Sequence, residues 1–347
     1  MQPVRVCIVG MGIGRVNGRG FLHDPRAKIV ALCDLIEDRM KEFATELPPG
    51  VRLFTDYKAM VRDPGIDAVF VGTPNQVHVP VALEVVKHGK HVMVTKPLAD
   101  SEAAARQIVA AAEAAGVVNM MSLSTRFSAE SAYLGALREK GAFGRIYYAR
   151  ALSVRRGGIP DWNLGFIQAG GGAFRDMGVH ALDGAWWLMG MPEPAYVLGT
   201  AGANFGPHGQ MYWDYRLPKP EFYKQFAADD FGCGTIVFTD GSSLLIESHW
   251  ASHFPERFDI ELFGTEAASR LHPLTVYRME NNAPQDITVS LPKGPDVWDR
   301  IASHFLDCII DGVPCIAPLR HGLMVQRMME ALLESGGTRR PVNIAAK

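Results

Sequence analysis

The spacing of hydrophobic residues along the chain follows two patterns, and the first gives way to the second near residue 122. In the first part, short β-branched runs predict strands at 4–9, 28–33, 68–71, 91–94 and 118–121. Longer stretches between them have helical periodicity, at 37–46, 80–88 and 101–115. Strict alternation of strand and helix predicts parallel pairing with right-handed crossovers, that is, a doubly wound α/β sheet of the Rossmann type.

The second part of the chain consists mainly of strands after an initial helical stretch. Helices are predicted at 129–140 and 173–189, and strands at 146–155, 231–238, 243–250, 258–263 and 274–279. Asp240-Gly241 between two of these strands is typical of a tight hairpin. Two helices, at 297–310 and 319–334, close the chain. The pattern favours an α+β domain with an open, mostly antiparallel sheet that carries helices on one face.

We therefore predict two domains, residues 1–122 and residues 123–347. A chain of 347 residues exceeds the size at which one hydrophobic core usually stops growing, about 250–300 residues. The Pro- and aromatic-rich segment 205–230 is either a lid over a site or a loop that its aromatic side chains anchor.

Composition excludes several classes of partner. The formal net charge is −2 and no long basic run is present, so neither nucleic acid nor an anionic membrane surface is expected to bind. No uncharged apolar stretch reaches the ~18 residues of a membrane span.

Five scattered cysteines lie mostly in apolar runs and are expected to be reduced. Because the first predicted strand begins at residue 4, we expect no leader segment and a cytoplasmic location.

A glycine-rich turn follows the first predicted strand directly. Its sequence is Gly10-Met11-Gly12-Ile13-Gly14-Arg15, and residues compatible with a helix come next. Such glycines let the backbone approach a pyrophosphate that rests on the N-terminus of the helix. We expect cofactor contacts from Gly10, Gly12, Ile13 and Gly14. The spacing departs from the usual motif at Arg15, and a glycine-rich turn without a ligand is the alternative.

An acidic residue, Asp34, ends the second predicted strand. A carboxylate at this position can accept hydrogen bonds from both hydroxyls of the adenosine ribose. Leu35 and Ile36 follow it, where an enzyme for the 2′-phosphorylated cofactor would favour Arg or Ser. The sequence therefore predicts NAD rather than NADP, although Arg15 or Arg39 could reverse this preference.

Two further turns follow strands of the same predicted sheet. Thr73-Pro74-Asn75 with His78 comes after strand 68–71, and Thr95-Lys96-Pro97 comes after strand 91–94. Both turns lie at the carboxyl edge, where doubly wound folds bind their ligands. We expect all seven of these residues to contribute to the cofactor site. The alternative for Lys96 is a solvated surface lysine.

The predicted helix 173–189 carries Asp176, His180 and Asp183 at i, i+4 and i+7, on one face. An imidazole titrates near neutrality, so His180 can exchange a proton with a reacting hydroxyl. Asp183 is expected to orient the histidine or to cap backbone. A buried structural histidine is one alternative. A metal site is another, but without a second histidine the spacing does not indicate zinc, and no metal is predicted.

The loop after strand 146–155 combines Arg155 and Trp162. A guanidinium can hydrogen-bond the hydroxyls of a polyhydroxylated ring, and an indole can stack on its C–H face. We expect both residues to bind substrate. Ordinary surface ion pairing is the alternative for the arginine.

These motifs, taken together, resemble the glucose-fructose oxidoreductase, inositol dehydrogenase and rhizopine-catabolism oxidoreductase (Gfo/Idh/MocA) family. The resemblance spans nearly the whole chain. It rests on the glycine turn, on Thr-Pro-Asn with His78, on Gly89-Lys90-His91-Val92 leading to Lys96-Pro97, and on Gly170-Gly171-Gly172 leading to Asp176, Gly178 and His180.

The resemblance implies roles for individual residues. Lys96 matches the position near the nicotinamide and the reacting hydroxyl, and Asp176 and His180 match the positions for substrate binding and acid–base catalysis. The family usually has Glu where this chain has Thr95, which implies a ribose contact that is weakened or made by a hydroxyl. Arg126-Phe127 is similar to a family motif at the domain junction, where Arg126 either contacts ligand or serves a hinge or packing role.

The expected function is hydride transfer between nicotinamide and a secondary hydroxyl of a sugar, cyclitol or related polyol. Two alternatives remain open. One is a glycosidase that uses transient oxidation and elimination, and the other is a non-catalytic nucleotide-binding sensor, which the Thr95 substitution makes conceivable. The bare face of the second sheet predicts a homo-oligomer, a dimer or a tetramer.

Overall fold

A computed structural model of the chain describes residues 2–344, which divide into two compact units. The first unit contains residues up to Ser124 together with Gly294–Gln326. The second contains Thr125–Lys293 and the residues from Arg327 onward. The sequence placed all residues after 122 in one domain, so the assignment of Gly294–Gln326 differs from that expectation.

The first unit begins as a regular alternation of strand and helix. Its sheet has the strand order β3-β2-β1-β4-β5-β6 with parallel pairing throughout. The prediction of a doubly wound sheet is confirmed, and the strand order reverses between β1 and β4, which is where such sheets bind ligands. The elements are β1 (Val4–Val9), α1 (Ile13–Leu22), β2 (Ala27–Cys33), α2 (Glu37–Ala44), β3 (Arg52–Phe54), α3 (Tyr57–Met60), β4 (Ala68–Val71), α4 (Asn75–Lys87), β5 (His91–Thr95), α5 (Glu102–Ala115) and β6 (Asn119–Ser122).

Strand β3 and helix α4 differ from their predictions. Strand β3 was missed, because three residues with exposed and half-buried side chains give no hydrophobic pattern. Helix α4 begins at Asn75 rather than at Pro80. A proline is common at the first helical position, but here it lies inside the helix.

The second unit is built around a nine-stranded sheet with the order β14-β13-β12-β11-β7-β10-β9-β8-β15. The prediction of a mostly antiparallel sheet is confirmed, with one parallel pair, β7 with β10. The elements are α6 (Ala129–Glu139), β7 (Ile146–Val154), α7 (Leu164–Ile167), α8 (Val179–Leu188), β8 (Pro194–Gly202), α9 (Pro220–Tyr223), β9 (Phe231–Phe238), β10 (Ser243–His249), β11 (Arg257–Gly264), β12 (Ala267–Arg270), β13 (Thr275–Glu280), β14 (Ala283–Thr288) and, after the last helices, β15 (Val342–Asn343).

Local chemistry explains the hairpin between β9 and β10. Gly241 has φ +82°, and the Asp240 carboxylate accepts hydrogen bonds from the backbone N–H and the hydroxyl of Ser242 at 2.8 and 2.6 Å. The hairpin prediction is confirmed.

Helix α8 packs on β7, β10 and β11 and covers one face of the sheet. On β8, Tyr196 and Leu198 are exposed while Val197 between them is buried.

Helices α10 (Val297–Ile310) and α11 (Leu319–Thr338) follow the second sheet. Helix α10 packs on α1, and a Cβ atom at Gly20 would lie 2.3 Å from the carbonyl oxygen of Trp298. This approach of two helix backbones attaches α10 to the first unit. No helix within residues 2–344 combines the length and apolarity that a bilayer crossing requires.

Candidate active site

The glycine turn after β1 meets the turn after β4. Gly10 has φ +86°, and a Cβ atom there would lie 2.5 Å from the carbonyl oxygen of Gly72. Helix α1 begins at Ile13, and no side chain caps its N-terminal N–H groups. A Cβ atom at Gly12 would meet nothing within 4 Å. The turn therefore presents an uncapped helix N-terminus beside open space, which suits a pyrophosphate.

Asp34 lies directly beside this turn. Its carboxylate accepts the Met11 N–H at 2.6 Å with one oxygen and the Ile36 N–H at 2.9 Å with the other. Each carboxylate oxygen keeps a further lone pair, so the group can still accept hydrogen bonds from ribose hydroxyls. Leu35 is 88 % exposed, and the Arg15 guanidinium pairs with Glu42 at 3.0 Å. These neighbours favour an unphosphorylated ribose.

A polar atom in the turn after β4 supports the same conclusion. The Thr73 hydroxyl oxygen is buried and has no hydrogen-bond partner among the residues that the structure describes. A buried hydroxyl without a partner costs about 1–3 kcal/mol, so an isolated one at a switch point indicates a ligand atom. The glycine turn, Asp34 and Thr73 together fit a dinucleotide.

His78 does not face that site. The imidazole is fully buried, with Nδ1 2.8 Å from the Pro97 carbonyl oxygen and Nε2 2.6 Å from the Thr73 carbonyl oxygen. Burial lowers the pKa of His78, and the two backbone contacts offset this only in part. The sequence predicted a cofactor contact here. In the structure, the two ring nitrogens instead contact backbone carbonyl oxygens, one in each turn. His78 therefore links the turn after β4 to the turn after β5.

Lys96 follows the end of β5 at the same edge. Thr95, the last residue of the strand, is buried, Lys96 is half-buried and Pro97 is buried. Because β1, β4 and β5 are neighbours, the turns after all three strands lie at one edge of the parallel sheet. The first unit therefore brings the predicted cofactor residues and Lys96 to a common edge.

The predicted helix 173–189 is not continuous in the second unit. A π-helical segment, Phe174–Gly178, precedes α8. Because a π-turn holds more residues than an α-turn, the expected stripe of Asp176, His180 and Asp183 is broken. Asp176 and His180 are half-buried, whereas Asp183 is fully buried. Segments of this kind are frequent at functional sites.

Asp183 has a different partner from the one expected. Its carboxylate accepts hydrogen bonds from Nε and Nη2 of Arg126, at 3.0 and 2.5 Å, and both side chains are almost completely buried. Burial raises the pKa of Asp183, against the effect of the neighbouring guanidinium. Asp183 therefore neither caps backbone nor acts as a free metal ligand. The pair favours the packing role of Arg126 over ligand contact.

Asp176 is held by a residue that sequence reasoning missed. The indole N–H of Trp250, a fully buried residue just after β10, donates to Oδ2 of Asp176 at 2.9 Å. A tryptophan N–H is a donor only, so Oδ2 of Asp176 is the acceptor and its position is fixed by the buried indole. An aromatic residue at a predicted strand end gave no signal of this role.

Two further acidic residues, Asp229 and Asp230, were also missed. Asp229 accepts the Phe174 N–H at 2.8 Å, and burial raises the pKa of its carboxyl to about 6. It thereby fixes the start of the π-helical segment. The only sequence signal was a pair of carboxylates at the entry to an apolar strand.

Asp230 anchors the segment 205–230. One carboxylate oxygen accepts the N–H groups of Asn204, Phe205 and Gly206 at 2.7–2.9 Å. Tyr212 is fully buried and donates its hydroxyl hydrogen to the Gly206 carbonyl at 3.1 Å. These contacts favour an anchored loop over a lid.

One other cluster contains ligand-type atoms. His304, Cys308 and Cys315 in the first unit hold a ring nitrogen and two sulfurs within 4.8 Å of one another. However, the Ile316 N–H donates to Nε2 of His304 at 3.0 Å, and this bond occupies the lone pair that a metal would need. The cluster is best explained as a cap between α10 and the loop that follows it.

Known proteins resemble the chain over both units. The family model described as "Oxidoreductase family, NAD-binding Rossmann fold" matches residues 4–123, and the "GFO/IDH/MocA C-terminal domain" model matches residues 132–270. A "D-glucoside 3-dehydrogenase" of Escherichia coli (strain K12) is 27% identical over 347 residues, which cover 97% of this chain and 96% of that protein. A "scyllo-inositol 2-dehydrogenase (NAD(+))" of Bacillus subtilis (strain 168) is 26% identical, and the alignment covers 90% of this chain and 87% of that protein.

The fold also matches solved structures. A levoglucosan dehydrogenase in complex with NADH and levoglucosan superposes with a TM-score of 0.86 at 20% identity, over 99% of this chain and 100% of that one. The resemblance drawn from the motifs and the prediction of NAD are confirmed by the family models. The chain belongs to the Gfo/Idh/MocA family of oxidoreductases, whose N-terminal domain is an NAD-binding Rossmann fold.

Proposed function

We propose that the protein is an NAD-dependent dehydrogenase that acts on a secondary hydroxyl of a sugar, cyclitol or related polyol. The observation that carries this proposal is that Asp176 lies in the π-helical segment and His180 follows shortly after it in α8, both half-buried, in a chain whose first unit is a complete dinucleotide-binding sheet. The relatives named for glucosides, inositols and levoglucosan support a polyhydroxylated substrate.

Oxidation of the secondary alcohol to a ketone transfers a hydride and leaves one proton. When bound, nicotinamide supplies the hydride acceptor. His180 takes the hydroxyl proton in oxidation and returns it in reduction, because an imidazole can both accept and donate a proton. For Lys96, the family resemblance implies a position near the reacting hydroxyl, where an ammonium would stabilise negative charge on the oxygen.

Asp176 orients the substrate through a neighbouring hydroxyl. One of its oxygens is fixed by the Trp250 N–H at 2.9 Å, so the carboxylate cannot rotate without losing that bond. A carboxylate held in one rotamer discriminates between epimers, because only one arrangement of hydroxyls meets it. We expect this constraint to favour substrates with one particular arrangement of hydroxyls.

The test is a screen of monosaccharides, inositols and anhydrosugars that follows the absorbance of reduced nicotinamide. Lys96→Met and His180→Ala are each expected to lower kcat about 10²–10⁴-fold with NADH affinity nearly retained, since the lost contacts form in the transition state. Unchanged turnover in both variants contradicts the proposal. The ratio of KM for the two cofactors tests the assignment of NAD, and a preference for NADP opposes it.

A second candidate is glycoside cleavage through transient oxidation and elimination. One relative, a "2,7-anhydro-N-acetylneuraminate hydratase" of Mediterraneibacter gnavus, has a name that describes no net redox change. In that case reduced nicotinamide would not accumulate. Release of the aglycone without a change in absorbance would therefore favour this candidate.

The exposed residues Tyr196 and Leu198 of β8 support a homo-oligomer that forms through the open face of the second sheet. Apolar side chains in a row on a sheet face are commonly covered by a second subunit. Light scattering of the purified chain tests this, and a monomeric mass contradicts it.

A further inference from the structure

Three aromatic rings lie on two loops of the second unit, and we call Trp162, Trp213 and Tyr215 the aromatic surface. The loop after β7 and the segment before α9 pair with each other. The Ile159 N–H donates to the Met211 carbonyl at 3.2 Å, and the Trp213 N–H donates to the Ile159 carbonyl at 2.9 Å. Backbone pairing therefore fixes the spacing of the rings.

Two rings of the aromatic surface are exposed and the third, Trp213, is half-buried. Trp162 is 57 % exposed and Tyr215 is 61 % exposed. The Trp162 and Trp213 rings meet edge to face with centroids 5.4 Å apart. Single exposed hydrophobic residues are ordinary, but grouped aromatic rings held in fixed orientations are typical of a binding surface.

Charged groups surround these rings. The Arg155 guanidinium lies 5.0 Å from the centre of the Trp213 ring, and the Arg216 guanidinium lies 3.5 Å from the Asp161 carboxylate. An apolar face bordered by hydrogen-bonding groups matches a pyranose ring, which presents C–H bonds on one face and hydroxyls at its rim. A purely apolar ligand would form no hydrogen bonds with these charged groups.

The backbone under the aromatic surface is strained and fixed. Met211, Asp214 and Tyr215 have φ angles of 59°, 55° and 55°. Residues other than glycine rarely adopt this region, and such strain persists where the surroundings impose it, often at ligand clamps. The Tyr215 ring lies on the backbone of Gly157, where a Cβ atom would be 2.7 Å away. A preorganised surface loses little conformational entropy on binding.

A line of ring contacts connects the aromatic surface to Asp176. The Trp162 ring meets Phe166 at 5.9 Å, Phe166 meets Trp250 at 6.5 Å, and the Trp250 indole N–H donates to Asp176. Two intervening side chains therefore separate Trp162 from the carboxylate. The aromatic surface is thus set apart from the group that orients the reacting ring.

We infer that the aromatic surface is a second carbohydrate subsite, which binds a sugar ring attached to the ring that reacts. The preferred substrates are then glycosides of at least two rings rather than single sugars. The second ring stacks on Trp162, and its hydroxyls bond to Arg155 and Asp161. This inference rests on the proposed function, because it extends the site built around Asp176.

The experiment compares substrates that share a reacting ring and differ in the second one. Cellobiose is compared with methyl β-D-glucoside, and maltose with methyl α-D-glucoside. Trp162→Ala is expected to lower kcat/KM about 10-fold or more for the disaccharide that the native enzyme prefers, and to change the matched methyl glucoside less than about twofold. Calorimetric titration of the NADH-bound holoenzyme with the same sugars should show the same selective loss. Met279→Ala, which removes an exposed apolar side chain on β13, is the control and should change neither.

Several outcomes overturn the inference. An equal loss for both members of a pair shows that Trp162 serves the reacting ring or the fold. A native enzyme that prefers the methyl glucosides shows that no second ring is bound. A lower mass for Trp162→Ala in light scattering shows that the surface joins subunits. Oxidation of inositols without oxidation or binding of any glucoside overturns the inference and keeps the proposed function, whereas no turnover in the whole screen removes the proposed function itself.

Discussion

The two units build their sites in opposite ways. At the carboxyl edge of the first sheet, the important contacts are made by backbone: Gly10 approaches Gly72, helix α1 exposes its N–H groups, and two turns share one buried imidazole. In the second unit, the important contacts are hydrogen bonds between side chains that are distant in sequence, such as Arg126 with Asp183 and Trp250 with Asp176.

This difference predicts different sensitivities. A site made of backbone tolerates changes of side chain but not an added Cβ atom, because the close approach leaves no room. A site made of buried charges responds to single substitutions, because an unpaired charge stays behind. The predictions below test this contrast, from the largest expected effect to the smallest.

The largest effect is expected at the buried ion pair. Arg126→Met leaves the Asp183 carboxylate without a partner in a fully buried place, which costs about 3–5 kcal/mol in the free energy of unfolding. Chemical denaturation followed by tryptophan fluorescence measures this. Because the removal of both charges also removes the unpaired group, the double variant Arg126→Met with Asp183→Leu should recover most of the loss. A single variant as stable as the native chain would disprove the role of the pair.

This pair also shows why the second unit was harder to predict. Asp183 lies on a predicted helix and Arg126 in a motif near the junction, and the pattern of neither residue points to the other. By contrast, the glycine turn, Asp34 and the strand ends are local signals, and their positions in the sheet followed from strand and helix alternation. The 231–238 strand and the 297–310 helix were predicted at their observed bounds, because turn and capping residues border each of them on both sides.

The remaining errors have the same physical origin. The π-helical segment depends on Asp229, which lies more than fifty residues away in sequence. The attachment of α10 to the first unit depends on the absence of a side chain at Gly20, which no periodicity reveals. His78 was expected to contact the cofactor because it lies close to the Thr73-Pro74-Asn75 turn. Its imidazole is fully buried, and the sequence alone does not reveal this.

A smaller effect is expected at the glycine turn, where two neighbouring glycines provide a matched pair. In Gly10→Ala, the new Cβ atom would lie 2.5 Å from the Gly72 carbonyl at an unfavourable φ, so we expect a loss of about 1–3 kcal/mol in stability and weaker NADH binding. In Gly12→Ala the Cβ atom meets no protein atom within 4 Å, so only NADH binding should fall. Thermal unfolding and fluorescence titration with NADH separate the two effects. Equal stability of the two variants would contradict the contrast between backbone and side-chain sites.

The smallest effect concerns the pH dependence of the second unit. Burial raises the pKa of Asp229 to about 6 in the folded chain, against 3.8 for an ordinary aspartate. The folded state therefore binds this proton more tightly than the unfolded state. The resulting stabilisation is complete below the unfolded pKa and is lost as the pH rises through about 6, a difference of about 1 kcal/mol between pH 5 and pH 8.

Asp229→Asn isolates this contribution, because the amide oxygen can still accept the Phe174 N–H while the side chain no longer titrates. The free energy of unfolding of the variant should change less between pH 5 and pH 8 than that of the native chain, by about 1 kcal/mol. Asp240→Asn is the control, since hydrogen bonds from Ser242 lower the pKa of that exposed carboxyl and its titration lies below this range. An identical pH dependence in the native chain and in Asp229→Asn would show that burial does not raise the pKa of this carboxyl at the start of the π-helical segment.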